Sequence, residues 1–190
     1  MSDSPANDLP DVVEILDYAL ELSSGDEVDA AIERISSDIT EKLADKNPIV
    51  ICVLNGGVVF TGQLLPQLRF PLELDYLHAT RYRGEMIGAE INWLARPQLE
   101  MKDRTVLILD DIFDEGFTLE AIAEHCRAEG AEEVFTAVLV EKRHDRERAK
   151  QRPDFVGLTT SDLYLFGSGM DYLGYWRNLP GIYGLKVEWE

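Results

Sequence analysis

The sequence is poor in basic residues, cysteine and histidine. Its 36 Asp and Glu face only 18 Lys and Arg, for a formal net charge of −18. A surplus of that sign excludes a general binder of nucleic acid or of anionic membranes. Two cysteines, Cys52 and Cys126, make neither a disulfide framework nor a metal spacing. They read as reduced structural thiols of a cytoplasmic protein. His78, His125 and His144 have no ligand spacing and read as surface or strand residues. Every apolar run falls short of the ~18–20 residues that span a bilayer. The opening Met1-Ser2-Asp3-Ser4 has neither the basic nor the apolar region of a secretory leader. Internal repeats and low-complexity tracts are also absent.

What remains is a globular composition. The 190 residues are 45% hydrophobic and 28% charged, enough for one domain with a real core. The charge is uneven. Residues 1–45 hold 13 acids and two bases, a net of −11, so residues 46–190 carry only −7. Within the latter, Glu141 to Arg152 holds six bases and three acids. This part of the chain is able to receive an anionic small molecule. The basic run itself reads as a solvated connection.

The organisation follows the same division: an acidic helical segment over 1–45 and a core over 46–190, within a single domain. Residues 1–9 read as a frayed tail. Pro10 suits a helix start, and Val12, Val13, Leu16, Ala19 and Leu20 recur at helical spacing. Ser23-Ser24-Gly25 breaks that helix. Asp26 is placed to cap a second one, with Val28, Ile32, Ile35, Ile39 and Leu43 on one stripe. After Asn47-Pro48 the pattern changes. Ile49 to Leu54, Leu72 to Thr80, Ile91 to Ala95, Thr105 to Leu109 and Glu133 to Val140 read as strands. Helical stretches are expected over Val58 to Leu68 and Thr118 to Glu129. Such alternation predicts an α/β fold with a mainly parallel twisted sheet. Sheets of this kind bind ligands at the carboxyl ends of their strands. Asn55-Gly56-Gly57, Asp110 to Thr118 and Lys142-Arg143 all fall there.

The densest chemistry lies in Val106-Leu107-Ile108-Leu109-Asp110-Asp111-Ile112-Phe113-Asp114-Glu115-Gly116-Phe117-Thr118. An apolar strand delivers two adjacent carboxylates, a third follows in a turn, and Gly116 and Thr118 open a helix. Free N–H groups at a helix start favour phosphate. Adjacent carboxylates suit ribose hydroxyls or a hydrated Mg2+.

This string resembles the phosphoribosyl-pyrophosphate (PRPP) motif of the type I phosphoribosyltransferases. Val53-Leu54-Asn55-Gly56-Gly57 is similar to the pyrophosphate loop of their 6-oxopurine branch. Glu141-Lys142-Arg143, Pro153 to Gly157, Gly167 to Tyr172 and Arg177 to Pro180 follow in that branch's order. The resemblance runs from about residue 48 onward.

It implies a sheet with a small hood over a base site, and transfer of 5-phosphoribosyl from PRPP to N9 of hypoxanthine or guanine. The products would be IMP or GMP and pyrophosphate, with Mg2+ as cofactor. By the same resemblance Asp110 and Asp111 hold the ribose hydroxyls, and Asp114 is the general acid/base near purine N7. Glu115, Gly116, Phe117 and Thr118 cradle the 5′-phosphate. Lys142 donates to O6 of the base, Tyr164 stacks on the purine, and the Leu165 backbone meets the base edge. Asp171 is the Mg2+ ligand, with Asp110 a further contact to the ion through ribose or water. Arg177 pairs with pyrophosphate. Leu54, Asn55, Gly56 and Gly57 line the pyrophosphate loop, and the Leu54–Asn55 peptide is expected to be cis. Tyr82 belongs to a lid over 81–90. Asn55 stands where many relatives have Lys, and Arg81 and Arg83 are candidates to replace that charge. The family implies a homo-oligomer, a dimer or tetramer. The rivals are a relative using xanthine and a PRPP- or nucleotide-sensing regulator without turnover.

Overall fold

The structure is a computed structural model that describes residues 11–81 and 91–186. The expected tail, the helix start at Pro10, Tyr82, Arg83 and the body of the lid lie outside the described residues.

The six-stranded main sheet follows the apolar runs. Its strands are β2 (Ile49–Leu54), β3 (Glu73–Arg81), β4 (Ile91–Ala95), β5 (Thr105–Phe113), β6 (Glu133–Arg143) and β7 (Phe155–Ser161). The order is β4-β3-β2-β5-β6-β7. All neighbours are parallel except β4, which pairs antiparallel with β3 at the edge. The central strands are Val- and Ile-rich because both faces are covered. One face packs Val50, Leu107, Leu109 and Leu139 against α2 (Gly25–Leu43) and α3 (Gly57–Leu64). The other packs Ile51, Val53 and Ile108 against α4 (Phe117–Ala128). Helix α2 buries the expected stripe of Val28, Ile32, Ile35, Ile39 and Leu43. Its Arg34 guanidinium reaches the carbonyls of Val156 and Gly157 on β7. Cys52 and Cys126 are buried and unpaired, and burial pushes the Cys126 thiol up to about 11.

Four local expectations are revised. Leu20 does not continue a helix. One helical turn, α1 (Ile15–Tyr18), ends at Ala19, and β1 (Leu20–Ser23) then pairs with β9 (Ile182–Leu185). Sheet pairing overrides the helical spacing there, because a segment four residues long is decided by its neighbours. Ser24, not Asp26, caps α2. Its hydroxyl accepts from the Glu27 N–H, and the Glu27 carboxylate accepts from the Ser24 N–H at 2.8 Å. Strand β5 does not stop at Leu109 but runs to Phe113, with Asp110 opposite Val138 and Ile112 opposite Val140. Strand β6 likewise runs past Val140 to Arg143. The carboxylates and Lys142 are therefore strand residues, aimed by the pleat.

A second, antiparallel sheet has the order β1-β9-β8, with β8 at Tyr164–Phe166. It is the expected hood. Its small core is Ile15, Phe166, Tyr172 and Leu185.

Candidate active site

The strand ends converge as loops on one edge of the main sheet. The Leu54–Asn55 peptide is cis, as the resemblance implied. It delivers Gly56 and Gly57 to the start of α3. Both glycines are dictated by space. A Cβ on Gly56 would fall 1.9 Å from Asp111 Oδ2, and one on Gly57 would fall 2.8 Å from the Leu109 carbonyl oxygen. The C-terminal loop closes on the same point. Gly169 has φ +104, and a Cβ there would fall 2.1 Å from the Gly56 carbonyl oxygen. Arg177 holds that loop, donating to the Gly169 carbonyl at 2.6 Å and pairing with Asp171 at 2.6 Å. Asp171 also accepts from the Gly174 N–H at 2.7 Å.

Asp110 and Asp111 sit under this junction. Burial, then the charge of Asp111, pushes Asp110 well above the ordinary carboxylate range. Burial raises Asp111 as well, opposed by its hydrogen bond with Asp110 and by the Arg177 charge. Two adjacent acids in this setting each disfavour the ionisation of the other.

Beyond Phe113 the chain turns into α4. Gly116 has φ +84, and a Cβ would collide with the Phe113 ring at 2.1 Å. No side chain caps α4. A helix start of this kind suits phosphate.

A second cluster surrounds Asp114. Lys142 is 5% exposed, and its Nζ lies 3.5 Å from Asp114 Oδ2 and 3.4 Å from Asp162 Oδ1. Arg146 donates to Asp114 Oδ1 at 2.6 Å and to Asp162 Oδ1 at 3.1 Å. His144 Nε2 is 2.8 Å from Asp114 Oδ1. Tyr164 lies on the hood, its ring edge-on to Tyr172 and its hydroxyl donating to the Asp171 carbonyl at 3.2 Å. Leu165 beside it is buried and pairs with Gly184.

His144, Arg146 and Asp162 were missed by the sequence reading. The basic run is, as expected, a largely exposed connection, but it is tied down at several points. The Ala149 N–H donates to the Glu115 carbonyl at 2.8 Å, Glu120 accepts from the Lys150 N–H at 3.0 Å, and Arg148 pairs with Glu141 at 3.1 Å. One available clue was the i, i+2 spacing of Lys142 and His144, which places both on one side of an extended chain.

For a metal the donor set is informative. Among the described residues, no group of three or more His, Cys, Asp or Glu gathers to hold an ion. A Mg2+ that arrives on phosphate and hydroxyl oxygens needs only one or two carboxylates. Asp171 and the Asp110–Asp111 pair supply that many, so the residues fit such an ion.

The chain belongs to the phosphoribosyl transferase domain family, which matches residues 20–173. It is 30% identical to the hypoxanthine-guanine-xanthine phosphoribosyltransferase of Tritrichomonas foetus, covering 87% of this chain and 90% of that one. It is 30% identical to the hypoxanthine-guanine phosphoribosyltransferase of Bacillus subtilis, over 87% of this chain and 92% of that one. A solved hypoxanthine-guanine-xanthine phosphoribosyltransferase superposes with a TM-score of 0.80 at 28% identity, covering 89% of this chain and 97% of that one. A hypoxanthine phosphoribosyltransferase from Staphylococcus aureus shares the fold with a TM-score of 0.85 at 24% identity, over 93% and 96% of the two chains.

Proposed function

We propose that this chain is a purine-salvage transferase that moves 5-phosphoribosyl from PRPP to N9 of hypoxanthine or guanine, giving IMP or GMP and pyrophosphate. The observation that carries this is the pairing of two half-sites on one sheet edge. Asp110, Asp111, Gly56 and the uncapped start of α4 suit a phosphorylated ribose. Next to them, the buried Lys142 and the part-exposed Asp114 suit the O6 and N7 edge of a 6-oxopurine.

The bond from C1′ to the diphosphate oxygen breaks as the bond from N9 to C1′ forms, and the base loses a proton. Positive charge grows on the ribose and negative charge on the leaving group. Arg177 and the N–H groups of the Gly56-Gly57 loop stabilise the diphosphate by preorganised electrostatics. Asp110 and Asp111 fix the ribose through its hydroxyls. Asp114 accepts the proton at N7 or balances charge developing there. Lys142, a donor without an acceptor, selects O6 over the amino group of adenine. Tyr164 covers the ring plane and the Leu165 backbone meets the base edge. When bound through Asp171 and substrate oxygens, Mg2+ supplies charge neutralisation of the diphosphate. Assembly into a homodimer or tetramer and a cytoplasmic setting accompany this reading, the latter supported by two buried unpaired thiols.

The test is nucleotide formation from PRPP and Mg2+ with radiolabelled hypoxanthine, guanine, xanthine and adenine in parallel. Product from hypoxanthine or guanine but not adenine is expected. The xanthine arm is included because the T. foetus relative bears that base in its name. No product from any base would favour a nucleotide-sensing regulator instead.

A further inference from the structure

Asp114 is held unequally. Two donors crowd its Oδ1: Arg146 Nη2 at 2.6 Å and His144 Nε2 at 2.8 Å. Its Oδ2 has Lys142 Nζ at 3.5 Å, longer than a normal hydrogen bond. The two contacts at Oδ1 differ in kind. Arg146 comes in from a side chain 39% exposed, whereas the His144 side chain is 3% exposed. His144 is also fixed in its tautomer. Its Nδ1 accepts the Arg146 backbone N–H at 3.2 Å, which assigns the ring proton to Nε2. That Nε2 is buried and points its proton off the line to any acceptor. The contact with Asp114 is close but bent. Catalytic contacts often have this form before substrate arrives, and straighten in the complex.

We propose that His144 is a positioning residue for this reaction. When substrate binds, its Nε2–H donates to Asp114 Oδ1, and Oδ2 is the oxygen presented to the purine. This rests on the reading of Asp114 as the group that handles the N7 proton. An Asp carboxylate turns readily about its terminal torsion and presents either oxygen unless one is tied down. Arg146 alone ties it with a long, flexible and partly exposed arm. A buried imidazole with a fixed tautomer ties it with a rigid one.

The test is the single-turnover rate of nucleotide formation, with PRPP affinity measured alongside, for His144→Ala, His144→Gln, His144→Asn, Asp114→Asn and the double variant His144→Ala/Asp114→Asn. Loss of a hydrogen bond to a charged group predicts a rate about 10-fold lower in His144→Ala, with PRPP affinity within twofold of wild type. A Gln amide reaches the Nε2 position, so His144→Gln should keep the rate within about threefold. An Asn amide reaches only the Nδ1 position, so His144→Asn should fall with Ala. In the Asp114→Asn background, removing His144 should cost less than twofold.

A His144→Ala rate within twofold of wild type, beside a large loss in Asp114→Asn, would overturn the role of His144 and leave that of Asp114 intact. Full activity in Asp114→Asn would instead remove the reading of Asp114. Equal losses from His144→Ala in both backgrounds, or equal losses in the Gln and Asn variants, would show that His144 merely packs. If His144→Ala fails to fold, the Gln and Asn pair decides.

Discussion

Adding one methyl group at Gly56 should separate substrate affinity from stability. The backbone there is ordinary, with φ −61 and ψ −46, so alanine brings no conformational strain. What alanine lacks is room, since its Cβ would lie 1.9 Å from Oδ2 and 2.4 Å from Cγ of Asp111. Something must yield, and the choice is between strand and side chain. The Asp111 backbone is held in β5 by pairing with β6, but its carboxylate swings on two torsions, a staggered χ1 and a broad χ2. Gly56→Ala should therefore rotate the carboxylate and leave the sheet in place. The stability cost is that of mild overpacking, about 1 kcal/mol. For a chain of this size that is a fall of about 2–4 °C in Tm. The binding cost is larger. A rotated Asp111 loses a charge-assisted hydrogen bond to the ribose, worth about 1.5–3 kcal/mol. PRPP affinity should fall about 10- to 150-fold. Calorimetric titration with Mg-PRPP and a thermal melt of the same sample give both numbers. Gly57→Ala is the contrast, because its Cβ would meet the Leu109 carbonyl at 2.8 Å, an atom of the strand itself. That variant should lose stability as well. PRPP affinity within threefold of wild type in Gly56→Ala would refute the placement of Asp111 against the ribose.

Three further outcomes follow from the same site. A carboxyl raised by burial binds protons in the folded state that the unfolded chain has released, so its stability penalty is absent below about pH 4 and grows as pH rises above it. Asp110→Asn should thus raise Tm at pH 7, show no gain near pH 3.5, and weaken PRPP binding; a Tm difference independent of pH would contradict this. Lys142→Ala should lower kcat/KM for hypoxanthine and guanine by about 1.5–3 kcal/mol with PRPP affinity nearly unchanged, and full kcat/KM for both bases would refute its role at O6. Arg177→Ala releases both Asp171 and the Gly169 carbonyl; KM for PRPP and inhibition by pyrophosphate should both weaken, and unchanged pyrophosphate inhibition would place the diphosphate elsewhere.

The parts legible in the sequence are those in which local chemistry and chain order agree. The apolar run into Asp110-Asp111 announces both a buried strand and the carboxylates that it carries to the site edge. The stripe from Val28 to Leu43 gives a helix whose buried face is as expected. Leu20–Ser23 was illegible because its partner, β9, lies at the far side of the sequence, and four residues of mixed polarity carry no period of their own. The run of strand beyond Leu109 was hidden for a different reason. Two aspartates look like a terminus, yet pairing with β6 continues on both sides of them. Arg146 and His144 were hidden by their company. In a stretch of alternating charges, little beyond the i, i+2 spacing of Lys142 and His144 distinguishes the side chains that reach back to Asp114 from those that face water.

The hood has an order of assembly built into it. Leu20 pairs with Gly184, and Tyr164 with Leu185, so β9 is the middle strand that both of its neighbours need. On a ribosome, β1 emerges first and waits through the synthesis of the whole main sheet before its partner exists. Main-sheet pairings need no residue beyond Ser161. A nascent chain halted at that point has everything needed to build the paired-acid edge, but nothing to place over it. The main sheet, with Asp110, Asp111, Asp114 and Lys142 on its edge, can therefore form before the hood, and synthesis of β9 is the step that completes the enclosure.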